Sequence, residues 1–445
     1  MKKEIDMLNG SLWRKIILFA LPIITTSIMQ QLFNSCDTAI IGRFGENGAL
    51  AAVGINGEIA AMFVSLSAGL AVGANVLISR FIGAGENGRI KNAVYTSVLT
   101  AFISGMILLL FGELSALPLL RLIHTPDVII SDAVTYLRIY LLSVPFLMLY
   151  DFGATVFRAR GDSKRPLIVL TFSGGLNVLL NMLFVIVCKM NVIGVALATV
   201  LATAVSAVSV IVLLVREEGE YKLTRGTIEK SDMKQIVQIG IPAALQGAVF
   251  CLANIFVQSA VNTFGPDAVA GSAVAMTFEY FAYYVIISLG QAATTFVSQN
   301  FAAHQLDRCR KITVICLILS FISCALLTVP LSVFCHSASS LFTQNAKEIE
   351  MSCQRILLIL VFEPICTFYE IPAGALRGLG YSALPAAETI IGTCLFRIIW
   401  VFTVFRRFDS LQSLYIVFPI TWVVTSLLVM GSYLHLKKRL IISEF

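Results

Sequence analysis

The stretch VFRARGDSKRP (residues 156–166) has a counterpart in ALRGLGYSALP (residues 375–385), 219 residues further along the chain. Other positions repeat at nearly the same interval: Pro22 and Pro242, Gly45 and Gly265, Phe81 and Phe301, and Pro145 and Pro364. Self-similarity at a fixed period is typical of folds built from repeated units. The chain is therefore predicted to consist of two related halves.

The composition indicates the solvent in which these halves fold. The 445 residues are 58% hydrophobic and 13% charged, against roughly 45–50% and 25% in soluble domains. An apolar run of about 20 residues is long enough to cross a ~30 Å hydrocarbon core. We count twelve such runs, named spans 1 to 12 in chain order: 13–41, 50–80, 94–116, 131–158, 165–188, 192–215, 236–263, 270–303, 311–335, 351–377, 384–405 and 413–436. The sequence predicts an all-α integral membrane protein whose twelve transmembrane helices form two pseudo-symmetric six-helix lobes.

The distribution of Lys and Arg predicts the orientation in the membrane. With the N-terminus inside, 23 of the 32 basic residues lie in inner segments and 6 in outer loops. We therefore expect both termini in the cytosol of a cell-membrane protein, and the net charge of +6 requires no nucleic-acid partner. Six spans per half relate the halves by an axis along the membrane normal. We expect lobes at residues 1–215 and 235–445, joined by a cytosolic linker, 216–234.

Motifs for catalysis are missing from the sequence. There is no GxxxxGK[ST] loop for nucleotide phosphates and no HExxH zinc motif. The ten cysteines show neither CxxC nor zinc-site spacing. The sequence indicates a carrier driven by an ion gradient, with no enzymatic activity and no cofactor.

Asp37 is an unusual residue for span 1. A carboxylate in hydrocarbon costs several kcal/mol on most scales, so such residues are rare and usually functional. Asn34 and Ser35 lie beside it in QQLFNSCDTAIIG (residues 30–42). We interpret Asp37 as a site for a proton or a cation, with Na⁺ as one alternative; the other interpretation is a helix-end residue near the interface.

Further acidic residues occupy the spans, several at matching places of the two halves. Each could serve a substrate cavity or bind a proton, although polar packing is an alternative for every one: Glu58 and Glu279, Asp151 and Glu370, and the unmatched Glu363. Asp151 and Glu370 precede Arg158 and Arg377 by seven residues, which is two turns on one helix face. Glu279 lies among aromatic residues in FEYFAYY (residues 278–284), where a carboxylate without a partner is costly.

Two smaller features of the spans point to packing. Arg138 and Arg397 are interpreted as ion-pair or interfacial residues. The glycines of GLAVG (residues 69–73) are four positions apart, a spacing that lets two helices approach closely.

Several motifs in order resemble the multidrug and toxic compound extrusion (MATE) family. They extend over nearly the whole chain: Pro22, CDTAIIGRFG (36–45), ALAAVG (49–54), FIGAGENGRIKNA (81–93), FRARGDSKRP (157–166) and GALRGLGYS (374–382). The resemblance implies two six-helix lobes around a central cavity, and antiport of organic, often cationic, compounds against H⁺ or Na⁺.

The resemblance also implies the ion-coupling residues. The DinF-like branch has an aspartate in its first helix, matched by Asp37, and Asn-x-x-x-Asp in its fifth. Here the fifth helix reads LNVLLNML (residues 176–183), so Asn177 matches and Asn181 replaces the aspartate. Thr199 lies where a polar site residue is expected, and Pro22 is the expected hinge because it lacks a helix hydrogen bond.

The second branch, NorM-like, carries acidic residues in helices seven and ten. The corresponding residues here are Phe250 and Cys366, so that site is absent unless Glu279, Glu363 or Glu370 replaces it.

Two other functions, and substrate uptake in place of export, remain open from the sequence. A lipid-linked oligosaccharide flippase shares the architecture, but an anionic lipid substrate favours basic cavity residues and the buried charge here is mainly acidic. A receptor is disfavoured by the repeat and by the lack of a sensing domain. The expected partners are a small-molecule substrate and membrane lipids, and the expected state is a monomer.

Overall fold

The computed structural model describes residues 4–46, 48–123 and 125–442, and their regular secondary structure is helical. The long apolar runs fold this way because hydrocarbon offers no partner for backbone N–H and C=O groups, and a helix satisfies them internally. Side chains such as Leu114, Leu326 and Leu427 are 82%, 71% and 71% exposed. Large apolar side chains on the outside suit a lipid solvent.

The twelve predicted spans are all present among the described residues. Span 4 consists of two helices bent by 41°, and it counts as one span. The helices are, for spans 1 to 6, Leu12–Phe44; Ala49–Ile55 with Gly57–Ala84; Asn87–Leu122; Asp127–Leu141 with Val144–Ala159; Lys164–Asn181 continuing as a π-helix, Met182–Val187; and Asn191–Val215. For spans 7 to 12 they are Lys230–Asn262; Pro266–Ala302; Leu306–Val333; Ala346–Leu358, a 3-10 helix Leu360–Cys366 and Thr367–Gly378; Ala383–Thr389, Phe396–Trp400 and Arg406–Phe408, alternating with π-helices Ile390–Leu395 and Val401–Phe405; and Leu411–Tyr415 with Val417–Ile442. Short helices Gly219–Tyr221 and Cys335–Ser339 lie between spans.

The chain forms two compact units. The first contains the described residues up to Asn9 together with Leu21–Ala248; the second contains Gly10–Ala20 and the described residues from Val249 onwards. Span 1 therefore changes unit beside Pro22, and span 7 changes unit after Pro242. The division into lobes at 215 and 235 stays a prediction.

Spans 2 and 7 approach closely within the first unit. A Cβ placed on Gly69 would overlap the backbone of Ala244, and one on Gly73 would overlap the carbonyl oxygen of Ile236. The glycine spacing thus acts as predicted, because only residues without a side chain allow two backbones to come this near.

We expect Gly73→Ala to destabilise the protein by about 1–3 kcal/mol, because the new methyl group meets backbone that cannot rotate away. Gly175→Ala is the matched control: it lies in a helix interior with no heavy atom near the new Cβ, and should be neutral or stabilising by up to about 1 kcal/mol. Thermal unfolding in detergent measures both. Equal unfolding temperatures for the two variants would contradict the packing role of Gly73.

Candidate functional site

Asp37 of span 1 contacts the asparagines of span 5. The Asn181 Nδ2 donates a hydrogen bond to Asp37 Oδ1 at 2.6 Å, and the same nitrogen lies 3.4 Å from Asn177 Oδ1. Asn177 and Asn181 are buried, whereas Asp37 is partly exposed. The structure therefore brings together three of the four residues that the resemblance assigned to ion coupling.

The local sequence explains why these side chains meet. Asn177 and Asn181 are four residues apart and so lie on one face of the helix. One turn before them, a Cβ on Gly174 would overlap the ring of Phe33 in span 1, so glycine allows the two helices to approach. The helix turns π-helical directly after Asn181, a departure that is frequent at functional sites.

Two tyrosines of span 4 belong to the same neighbourhood. The rings of Tyr136 and Tyr140 stack with centroids 6.1 Å apart, and both lie close enough to Asp37 to interact with its charge. Sequence reasoning missed them, because their only signal is a four-residue spacing of aromatic residues, which is equally common in ordinary packing.

Thr199 and Pro22 are not joined to this cluster. The Thr199 hydroxyl donates to the carbonyl of Val195 at 3.1 Å, and no bond within the described part of the chain links it to Asp37. Span 1 stays helical through Pro22, and Thr26 donates to the Pro22 carbonyl at 2.7 Å. The roles of Thr199 in ion coupling and of Pro22 as a hinge stay predictions.

The other acidic residues of the first unit differ in their surroundings. Glu58 lies in the first turn of the helix Gly57–Ala84 and is partly buried, with no hydrogen-bond partner among residues 4–46, 48–123 and 125–442. Asp151 accepts a hydrogen bond from the Ser67 hydroxyl at 2.6 Å, and it lies within the electrostatic range of Arg158. A satisfied carboxylate of this kind fits the packing alternative for Asp151.

Glu279 is paired in a way that the sequence analysis did not anticipate. Arg355 donates from Nε to Glu279 Oε1 at 2.7 Å and from Nη2 to Oε2 at 2.8 Å, and its Nη1 donates to Ser272 at 2.8 Å. The guanidinium also lies 5.3 Å from the Tyr415 ring centroid. A fork-to-fork pair is among the strongest polar contacts in proteins, so Glu279 does not stand alone among the aromatic residues. Its roles in a cavity or in proton binding stay predictions.

Glu370 and Glu363 contrast within span 10. Arg377 Nη1 lies 3.0 Å from Glu370 Oε1, as the seven-residue spacing suggested. Glu363 is 3% exposed, and its Oε2 has no hydrogen-bond partner in the described structure. It lies within the electrostatic range of Glu279 and Arg355. The roles of Glu363 and Glu370 in a cavity or in proton binding stay predictions.

The predicted ion-pair or interfacial role is confirmed for Arg138 and wrong for Arg397. Arg138 lies 3.7 Å from Glu113 and forms an ion pair. Arg397 is neither paired nor interfacial: it is 1% exposed, and no carboxylate among the described residues lies within ion-pair distance. Sequence position alone could not separate these two cases, because both arginines follow apolar residues within a span.

A tightly bound metal has no matching site in the described residues, which contain no group of three His, Cys, Asp or Glu side chains. A weakly held Na⁺ requires oxygen ligands only, and the cluster around Asp37 offers them. Asn181 Oδ1 is buried without a hydrogen-bond partner, and Asn177 Oδ1 and the second oxygen of Asp37 belong to the same cluster. These residues are chemically able to hold either Na⁺ or a proton.

Comparison with known proteins gives matches over nearly the whole length. The family model described as MatE matches residues 22–183 and 242–403. The probable multidrug resistance protein YoeA of Bacillus subtilis (strain 168) is 25% identical over 445 residues, which is 96% of this chain and 95% of YoeA. The probable multidrug resistance protein NorM of Thermotoga maritima is 25% identical, covering 89% of this chain and 86% of NorM.

Solved structures agree in fold. A MOP superfamily transporter from Pyrococcus furiosus, described as having a binding pocket of reverse polarity, superposes with a TM-score of 0.90 and 20% identity over 98% of both chains. At this identity the likeness shows the fold alone.

We expect Arg355→Met to destabilise the protein by about 3–5 kcal/mol, because it leaves the Glu279 carboxylate buried without its partner. The double variant Arg355→Met with Glu279→Met should recover most of that loss, since replacing both members of a buried pair by apolar groups is often neutral. Thermal unfolding in detergent compares the two. An unfolding temperature of Arg355→Met equal to that of the wild type would show that the pair does not stabilise the second unit.

Proposed function

Because this chain belongs to the MatE family of membrane transporters, we propose that it exports organic, drug-like compounds, cations among them, by antiport with H⁺ or Na⁺. As a member of this family it is a multi-pass membrane transporter of small molecules, not an enzyme, and it needs no cofactor. The observation that carries the proposal is the hydrogen bond from Asn181 to Asp37 at 2.6 Å. In this contact a carboxylate of span 1 meets the amides of span 5, and no arginine or lysine is bonded to the carboxylate in the described structure.

The coupling step follows from the chemistry of this hydrogen bond. An amide nitrogen that donates to Asp37 stabilises the ionised carboxylate. If the Asn181 amide turns over, its unpartnered Oδ1 faces Asp37, and this arrangement is stable only when the carboxyl carries a proton or when Na⁺ lies between the oxygens. Binding of either ion thus changes the bonding between spans 1 and 5. We propose that this change is transmitted along span 1, where Pro22 leaves one backbone carbonyl without its helical partner.

Export and cation transport are supported by different observations. The relatives described above are named multidrug resistance proteins, which favours export of drug-like compounds over the flippase alternative. Asp37 and Glu58 supply negative charge in the first unit, which favours cations. The argument from acidic charge is weaker in the second unit, where Glu279 and Glu370 are bonded to arginines.

We further propose that the protein functions as a monomer in the cell membrane with both termini in the cytosol. The orientation rests on the 23-to-6 excess of Lys and Arg in the inner segments. In a variant whose native cysteines are replaced, a cysteine introduced at the exposed linker residue Lys222 should react with a membrane-permeant maleimide and not with an impermeant one in intact cells. Labelling by the impermeant reagent would contradict the proposed orientation.

Asp37→Asn should reduce dye efflux from cells to the background level, because the amide cannot bind a proton or balance the charge of Na⁺. The amount of protein in the membrane should be unchanged. Asp127→Asn is the matched control, since this exposed aspartate at the start of span 4 lies outside the cluster. Undiminished efflux by a well-expressed Asp37→Asn variant would refute the assignment.

Asn181→Asp should alter the ion dependence of transport. Two carboxylates this close resist simultaneous ionisation, so the site should bind a proton at higher pH than the wild type; it should also attract Na⁺ more strongly. Transport by reconstituted protein is measured against pH and Na⁺ concentration. Asn177→Asp is the comparison variant and should have a smaller effect, because Asn177 lies one turn from the carboxylate. Identical profiles for wild type and Asn181→Asp would mean that Asn181 does not share the ion site.

A further inference from the structure

Arg397 is a buried charged residue that the proposed mechanism does not use. It lies in Phe396–Trp400 of span 11, between two π-helical stretches. It is 1% exposed, and within the described residues no acidic side chain forms an ion pair with it. A guanidinium stays charged even when it is buried, and an unpaired charge in hydrocarbon is costly and usually functional.

The contacts of Arg397 hold the Nε end of the guanidinium and bring two aromatic rings close to it. Its Nε donates to Thr421 at 3.3 Å. The Phe418 ring centroid lies 4.1 Å from the central carbon, and the Phe250 centroid lies 5.4 Å from it. These contacts fix the plane of the group by stacking and one hydrogen bond, so its orientation is set before any ligand arrives.

The opposite edge of the guanidinium is poorly satisfied. Nη1 lies 3.5 Å from Asn254 Oδ1, at the long limit for a hydrogen bond, and Nη2 has no partner in the described structure. The Nη1 and Nη2 donors together form the two-pronged edge that matches the two oxygens of a carboxylate or phosphate. A fixed plane with this edge unfilled is the arrangement expected of an oxyanion site without its ligand.

The residues beside this edge suit an aromatic compound. Phe250 and Asn254 lie on one face of span 7, and Phe250 stacks on Tyr283 with centroids 6.1 Å apart and planes 9° from parallel. Phe250, Asn254 and Tyr283 are only partly buried, whereas the Arg397 side chain is almost completely buried. A ligand can therefore approach from the side of Asn254 and displace its long hydrogen bond.

We propose that the Nη1–Nη2 edge of Arg397 binds an oxyanion, carboxylate or phosphate, of an aromatic substrate that stacks against Phe250 and Tyr283. This inference rests on the proposed transport function and extends it, because the protein then accepts aromatic anions or zwitterions as well as cations. Arg397 is a specificity-determining residue in this proposal.

The test compares two dyes that share a xanthene ring and differ in charge: fluorescein, which carries a free carboxylate, and rhodamine 123, a cationic ester. Their binding to purified full-length protein is followed by fluorescence polarisation. Arg397→Gln should lower the affinity for fluorescein about tenfold or more, the ratio expected when a charge-assisted hydrogen bond is lost. It should leave the affinity for rhodamine 123 unchanged or raise it.

Two further variants make the result specific. Arg138→Gln, the same substitution at an arginine paired with Glu113 in the first unit, should leave both affinities at the wild-type value. Arg397→Lys keeps the charge and loses the two-pronged edge, so fluorescein should bind with intermediate affinity. Arg397→Lys decides the question if Arg397→Gln does not fold, as judged by its unfolding temperature in detergent.

The outcomes separate this inference from the proposed function. Equal losses for the two dyes in the Arg397 variants, or no loss for either, would overturn the oxyanion site. Wild-type protein that binds rhodamine 123 and not fluorescein would also overturn it, while leaving the export function in place. Wild-type protein that binds neither dye and exports neither from cells would count against both.

Discussion

A polar group in hydrocarbon must find its partner within the chain, and this constraint explains both the helices and the site. The backbone meets the requirement by folding every long apolar run into helix. Side chains meet it by pairing: Glu279 with Arg355, and Asp37 with Asn181. These pairs differ in kind, because the first joins two opposite charges and the second leaves a single charge supported by a neutral amide. A single charge is the one that an incoming cation can neutralise.

The spans could be predicted from the sequence because the membrane imposes a minimum length on an apolar run. Their limits were predicted less well: the helix of span 3, Asn87–Leu122, extends beyond the predicted 94–116 at both ends. The bend in span 4 could not be placed, although Pro145 stands at the start of its second helix and cannot donate to the preceding turn. The assignment of Gly10–Ala20 to the second unit could not be predicted either, because it depends on contacts with residues far away in sequence.

The candidate site was predictable only in part, and the reason is again distance along the chain. Asp37 was identified because a carboxylate is costly in an apolar span, whereas Asn177 and Asn181 were identified from motifs of a known family. No local sequence pattern predicted the contact between Arg355 and Glu279, which are 76 positions apart. Periodicity indicates which face of a helix a residue occupies, but it does not indicate which residues of another helix that face contacts. The sequence likewise did not predict that Arg397 lacks an acidic partner among the described residues.

The two halves repeat in sequence and differ in charge. Span 5 carries two neutral amides beside Asp37, whereas span 11, its counterpart, carries Arg397. Phe250 and Cys366, where the resemblance implies acidic residues in another branch of the family, both lie near this arginine. Without those carboxylates, Arg397 has no acidic partner among the described residues. Under the proposed function, an oxyanion bound at Arg397 supplies the negative charge that the absent carboxylates would otherwise bring to this part of the second unit.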